Sequence, residues 1–400
     1  RERMNLRSDN MASDQSNNLF KYNFIFWKIF GIWGGRKPSK YYKYYSAIYL
    51  FVTLFCYNLL LTLNLIYTPP KIELIIREVI FYFTEITVAA KVFTILFLHS
   101  KLVSVLENID SEEFLGDYNI KDGILQGVQT NYKLCWKLYA SLSNSAYFFQ
   151  ILVPLIVDII RGTEPELPIC KYYFLSEETR RSYYIFWFIY QSFGMYGHMM
   201  YNVNIDSFVA GLLVLAISQL RLLNKELSDI KLTKEEKEFS TKLRDQESKY
   251  KLNRCLIHYD AILRYYKNLQ DLLSVLIFFQ YSASSAIICV VLCGLLLPSS
   301  TETKVFLVMY FLTMTLQIFI PGFLGTQLFY ESQELVFAAY DSDWIEMSES
   351  FKRSLRLFME RAKRPIVISG LKLFPLSLVT FTSVGNMSAV HAHKIMMPIC

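Results

Sequence analysis

The chain has 400 residues, of which 53% are hydrophobic and only 19% charged, with 31 Phe, 28 Tyr and a formal net charge of +6. Length alone would admit two or three soluble domains, but such domains carry about 25% charged residues, and apolar runs of roughly 20 residues or more point to a polytopic membrane protein instead. Seven cysteines, an odd number placed mostly in or beside apolar segments, exclude a disulfide framework.

Residues 1–44 are polar up to Leu19, show no secretory-signal pattern and offer Met4 and Met11 as starts. Seven helical spans are predicted after them: Tyr45–Tyr67, ended by Pro69-Pro70; Ile72–Leu98; Leu138–Ile160; Tyr183–Ile217, long enough to protrude from the bilayer; Leu269–Leu297; Val305–Tyr330; and Ile366–Val390. Their apolar spacing is helical, and the period-two alternation of a barrel is absent. No internal repeat of the transporter kind is visible. The expected fold class is all-α, a seven-transmembrane helix bundle.

Lys and Arg set the orientation. One set of flanks (the N-terminus and loops 2–3, 4–5 and 6–7) holds 31 of them and the other set 8, with Lys91 and Lys372 inside spans. That places the N-terminus in the cytoplasm and the C-terminus outside, the reverse of a G-protein-coupled receptor, whose Asp-Arg-Tyr and Asn-Pro-x-x-Tyr signatures are also missing. The expected organisation is an N-terminal cytoplasmic segment (1–44), helices one to four (45–217), a cytoplasmic loop with an anchor helix (218–268), helices five and six (269–330), a second cytoplasmic anchor helix (331–365), and helix seven with the C-terminus (366–400).

In the first connector, Leu252, Leu256, Tyr259, Leu263 and Tyr266 recur at helical steps and predict a helix running straight into span five. In the second, Met347, Phe351, Leu355, Phe358 and Ala362 form one stripe, with Lys352, Arg353, Arg356, Lys363 and Arg364 mostly off it. Such a helix either lies on the inner leaflet with its basic residues on anionic lipid, or packs its stripe against the helix before span five.

Catalytic and metal motifs do not appear, so no enzyme, no cofactor and no metal site is expected. His391-x-His393 supplies only two ligands, and Cys289-x-x-x-Cys293 reads as small buried hydrophobes. Span seven is unusually polar: at about 100° per residue, Ser369, Lys372, Thr380 and Ser383 fall within roughly an 80° sector. That face suggests a water-filled path; interhelical hydrogen bonding by Ser and Thr explains it equally well. One such face cannot enclose a pore without several subunits. The outer half of the bundle gathers Phe81 and Tyr82 on span two, Tyr147 and Phe148 on span three, Trp187, Tyr190, Phe193, Tyr196 and His198 on span four, and Tyr310 and Met314 on span six. An aromatic pocket there would suit a small hydrophobic ligand; an ordinary core and interfacial belt is the competing explanation. Asp206, following Asn202 and Asn204, reads as structural, near the wetter inner end of span four.

Three stretches resemble the insect odorant receptors: "LNRCLIHYDAIL" with Cys255 and His258, followed by "FQYSASSAIIC"; "GTQLFYESQELVFAAYDSDW" with Gly325, Tyr340 and Trp344; and "RSLRLFMERAKRP" through "FPLSLVTF". The Thr-Tyr and Gln-Phe pairing of the related gustatory receptors is missing. The resemblance implies an odorant-specific subunit of a ligand-gated, non-selective cation channel, assembled with a shared co-receptor as a heterotetramer in the plasma membrane of an olfactory neuron's dendrite. It also implies a small volatile odorant as ligand, no nucleic-acid partner, a pore lined by span seven and a ligand pocket between spans two, three, four and six. The cytoplasmic helix ends would form an intersubunit anchor, here Cys255, His258, Tyr340, Trp344, Phe351, Leu355 and Phe358. A metabotropic seven-helix chemoreceptor or a gustatory receptor is the alternative. After Asn386 the family pattern of Tyr-Ser-Tyr-Phe followed by leucines gives way to "MSAVHAHKIMMPIC", as a frameshift, truncation or alternative exon end would produce, and no gate residue is carried over.

Overall fold

A computed structural model describes residues 15–115, 118–162, 166–230, 241–298 and 301–396; Met4, Met11, linker residues 231–240 and Cys400 lie outside them. Two short helices, α1 (Gln15–Leu19) and α2 (Lys21–Ile29), come first. Helix α3 runs from Lys40 to Tyr67, with the turns Phe51–Cys56 widened to a π-helix. Next are α4 (Ile72–Phe97), α5 (His99–Ile109), α6 (Glu112–Leu115), α7 (Tyr118–Arg161), α8 (Glu177–Ser182) and α9 (Tyr184–Ser228). Helices α10 (Thr241–Leu296) and α11 (Thr301–Tyr340) precede α12 (Glu349–Ala362). A two-stranded hairpin, β1 (Ser369–Gly370) and β2 (Phe374–Pro375), leads into α13 (Leu378–Met396).

Among the described residues six helices, α3, α4, α7, α9, α10 and α11, are long and apolar enough to cross a membrane. They cover the first six expected spans, and the chain is a multi-pass membrane protein. At 1.5 Å per residue the 56 residues of α10 extend roughly 84 Å, against a hydrocarbon core about 30 Å thick. The excess projects at one end of the bundle, where the first half of α10 meets α5, α12 and the far ends of α9 and α11; we call this the stalk end.

The stalk is packed rather than splayed. Met347, Phe351, Leu355, Phe358 and Ala362 are all buried. Tyr259 of α10 meets Phe358 edge-on at 5.1 Å, and Arg361 donates to Asp260 at 2.8 Å. The stripe of α12 is therefore covered by its own chain and not by lipid. Ser348 caps the helix by accepting from the Phe351 N–H, satisfying a donor the first turn leaves open. The predicted run of helix into span five is also present, with Leu252 and Tyr259 buried.

In the N-terminal segment Phe20 and Trp27 are buried against Phe208, and Phe30 against Tyr201. One element departs from the sequence reading: span seven does not begin at Ile366. Residues 366–377 are extended and form the β1–β2 hairpin, whose turn holds Leu371 and Lys372 at left-handed φ of 46° and 60°. Backbone that is neither helix nor barrel survives in a membrane protein only where protein satisfies it, and neighbouring helices do so here. Ser332 Oγ accepts from the Ile366 N–H, Gln270 pairs with both the N–H and the carbonyl of Ser369, and Ser274 Oγ accepts from the Leu371 N–H. Tyr266 donates to the Val367 carbonyl, and Thr326 Oγ1 accepts from the Leu378 N–H where α13 starts.

Candidate functional site

The aromatic residues expected to form one pocket divide into separate groups, because they point from their helices in different directions. Phe81 of α4 packs with Phe306 and Tyr310 of α11, ring centres 5.7 and 6.2 Å away, and the Tyr310 hydroxyl shares a hydrogen bond with Thr84. Met314, one turn beyond Tyr310, is buried. Tyr147 and Tyr196 pair at 5.2 Å between α7 and α9, the Tyr147 hydroxyl donating to the Ser192 carbonyl. Phe148 and Phe193 are 51% and 47% exposed and face away from the core. Tyr82 is half-buried beside the group that includes Phe81.

Tyr190 and His198 act on the backbone. A π-helical turn misaligns the carbonyls of an α-helix, and in α3 the carbonyl of Val52 accepts from the Tyr190 hydroxyl at 3.1 Å while that of Thr53 lies 2.9 Å from His198 Nε2. His198 Nδ1 is paired with Glu85 of α4. Trp187 packs on Tyr172 of the 166–175 segment, ring centres 5.4 Å apart. That segment closes the end opposite the stalk. Gln191 accepts from the N–H groups of Ile169 and Cys170 and donates to the Cys170 carbonyl, and Asn64 accepts from the Tyr173 N–H. Burial pushes the Cys170 thiol and the Tyr172 phenol above their ordinary values, so both stay neutral.

The sequence reading missed a ladder of buried polar groups along α4. Glu78 accepts from Asn64 at 2.8 Å, Glu85 meets His198, and Lys91 donates to Asn202 at 2.8 Å and Asp206 at 2.6 Å. Gln317 of α11 completes the last rung by donating to the other Asp206 oxygen at 2.6 Å. The seven-residue step keeps Glu78 and Glu85 on one face of α4, since two helical turns span about seven residues, and the six-residue step turns Lys91 roughly 120° away from them. Charges spaced that way inside an apolar span were the available signal. Asp206 is thus half of an ion pair across α4 and α9, and the Lys91 side chain is only 2% exposed. Beside this rung lies a small cavity of about 10 Å³, room for a single water-sized group, between α4, α9, α10 and α11.

Among the expected pore residues, Ser369 and Lys372 stand in the hairpin and share no helical face with Thr380 and Ser383; Gly370 and Pro375, poor helix residues, were the warning in the sequence. Ser383 is exposed and Thr380 half-exposed on α13. This helix docks on α10 through Ser285–Ser388 and on α11 through Phe319–Phe381, and it leaves Thr382, Ser383, Asn386 and Met387 uncovered. Of the expected anchor residues, Cys255, His258, Phe351, Leu355 and Phe358 are buried within the chain, His258 between Glu226 and Gln219. Tyr340, at 65% exposure, and the half-buried Trp344 are what that group presents to solvent. The described residues contain no group of three or more His, Cys, Asp or Glu that could hold a metal ion.

The sequence matches the family described as 7tm Odorant receptor over residues 71–389. It is 28% identical to Odorant receptor 2a of Drosophila melanogaster over 201 residues, which cover 49% of this chain and 51% of that protein. To Odorant receptor 46a, isoform B, of the same species it is 22% identical over 388 residues, 93% of this chain and 96% of that one. In the first of these matches the chain spans about half the length of its curated relative. The olfactory receptor OR5 from Machilis hrabei, solved in complex with eugenol, superimposes with a TM-score of 0.77 at 17% identity, covering 95% of this chain and 98% of that one. OR5 without that ligand gives 0.79 at 18% identity. At these identities the structural likeness is one of fold.

Proposed function

We propose that this chain, which belongs to the insect odorant receptor family, is an odorant-specific subunit that joins a shared co-receptor in a tetrameric, ligand-gated cation channel. The chain is a receptor of the multi-pass kind and not an enzyme. The observation that carries the channel reading is the bare side of α13, where Thr382, Ser383 and Asn386 lie uncovered while the opposite side is docked on α10 and α11. Polar groups at membrane depth face protein or water, and a ring of such helices from several subunits supplies both.

In this reading the stalk end and the N-terminus are cytoplasmic, as the Lys and Arg distribution favours. Tyr340 and Trp344 are the stalk residues that meet a neighbouring subunit, and the working place is the plasma membrane of a sensory dendrite. The ligand is a small apolar volatile held by the cluster of Phe81, Phe306 and Tyr310. OR5, of the same fold, was solved with eugenol. Occupancy biases the bundle only by its differential affinity for the open and closed arrangements. The cluster sits on α11, which touches α13 through Phe319 and Phe381, so a shift of α11 reaches the pore helix directly.

Two measurements test this. An epitope at the N-terminus is expected to stain only permeabilised cells; staining of intact cells would indicate a metabotropic receptor of the opposite orientation. With co-receptor present, Tyr310→Ala is expected to raise the EC50 of activating odorants at least tenfold, since it removes a ring from the cluster and the partner of Thr84. Unchanged dose–response curves at equal surface expression would remove the cluster from the ligand site.

A further inference from the structure

We propose that the cavity between α4, α9, α10 and α11 is a subsite for a ligand hydroxyl group, so that the receptor favours alcohols over isomeric ethers. The inference rests on the reading of the chain as an odorant-gated subunit and adds a chemical class to it.

The donor and acceptor inventory of the cavity points there. Gln280 is 7% exposed and lines the cavity; its amide N–H donates to Ser284 Oγ at 2.9 Å, while its Oε1 has no partner. A buried amide oxygen without a donor is uncommon. Lys91, also in the wall, has three N–H groups, of which Asn202 and Asp206 take two. The site therefore offers one acceptor in need of a donor and one spare donor. A hydroxyl supplies both functions from a single atom, whereas an ether oxygen only accepts and a hydrocarbon does neither. The remaining wall includes Val88, Ala283, Ile287 and Met314, and the space is sized for the hydroxyl alone, so the carbon body of the ligand lies outside it.

The cavity also adjoins the aromatic cluster. Thr84 lines it and is hydrogen-bonded to the Tyr310 hydroxyl, and Met314 lies one turn from Tyr310. A ligand with its apolar body on Phe81, Phe306 and Tyr310 thus has a polar recess next to it. The competing occupant is a retained water, which has the same hydrogen-bonding capacity.

The test uses isomeric pairs, 1-hexanol with methyl pentyl ether and benzyl alcohol with anisole, on cells expressing the full chain with the co-receptor. The wild type is expected to respond to each alcohol at an EC50 at least tenfold below that of its ether. Gln280→Leu is expected to erase that ratio by weakening the alcohol and leaving the ether within about twofold; Gln280→Met, closer in shape, serves if the leucine variant does not reach the surface. An equal shift for both members of a pair assigns the cavity to a retained water and overturns the proposal. So does a wild type that answers other odorants but no alcohol. If no odorant of a broad panel evokes current, the channel reading fails by itself. The subsite is then judged by thermal stabilisation of the detergent-solubilised chain, where 1-hexanol must stabilise and methyl pentyl ether must not.

Discussion

Gly325→Ala is expected to abolish odorant-evoked current, or reduce it at least tenfold, while Gly385→Ala leaves it unchanged. A Cβ on Gly325 would fall deep inside the van der Waals radius of the Leu376 carbonyl oxygen and 2.8 Å from Leu376 Cγ. The oxygen belongs to the backbone and cannot rotate away, and the Leu376 N–H is itself committed to the Ile368 carbonyl at 2.7 Å. The added methyl must push the hairpin off α11 and carry the start of α13 with it. Overpacking of this kind costs about 1–3 kcal/mol in ordinary cores, enough to shift a gating equilibrium by roughly 5- to 150-fold even if the chain still folds. A Cβ on Gly385, by contrast, meets nothing within 4 Å in the single chain. Whole-cell recording with surface labelling of both variants decides the matter; indistinguishable currents would mean that the hairpin's seat against α11 plays no part in gating.

The second large effect is expected at Asp206. Asp206→Ala leaves the Lys91 ammonium inside the bundle with Asn202 as its remaining polar contact, and strips Gln317 of its acceptor. Removing one partner of a buried ion pair typically costs about 3–5 kcal/mol, whereas replacing both by apolar residues of similar size is often neutral. Surface biotinylation should therefore find most of Asp206→Ala retained inside the cell and a large part of the Lys91→Met, Asp206→Leu double variant recovered. If the single variant reached the surface at the wild-type level, the pair would not be holding α4 to α9.

What could be read before folding was set by how local each signal is. Six spans were legible because length and apolar periodicity are written within each segment. The α12 stripe, Met347 through Ala362, was legible for the same reason, and so was the run of α10 into the membrane. The hairpin at 366–377 was not, because "IVISGLKLFP" is apolar enough to pass as a span. Its non-helical form depends on Gln270, Ser274 and Ser332, which lie far away in sequence. The aromatic candidates were individually visible, but which of them meet depends on the rotation of each helix about its axis. Phe81 and Tyr310 come together while Phe148 and Phe193 turn outward. The charges of α4 were plain in the sequence; their partners His198 and Asp206 emerge only once α9 lies beside it.

The hairpin has a mechanical consequence. It makes α13 a cantilever: Leu378 is tied to Thr326, and the turn just before it is bolted to α10 by Gln270 and Ser274, whereas the hydrogen bonds of the far half to α10 are the pair between Ser388 and Ser285 and a weak Cys293 thiol contact to the Ala392 carbonyl. A beam fixed at one end deflects most at its tip. Over the 19 residues of α13, roughly 28 Å, a tilt of about 5° at the clamp displaces the free end by roughly 2.5 Å. A sub-ångström adjustment where α11 grips the root is thereby magnified at the opposite end of the helix, where the Ser388–Ser285 hydrogen bonds are what it must break.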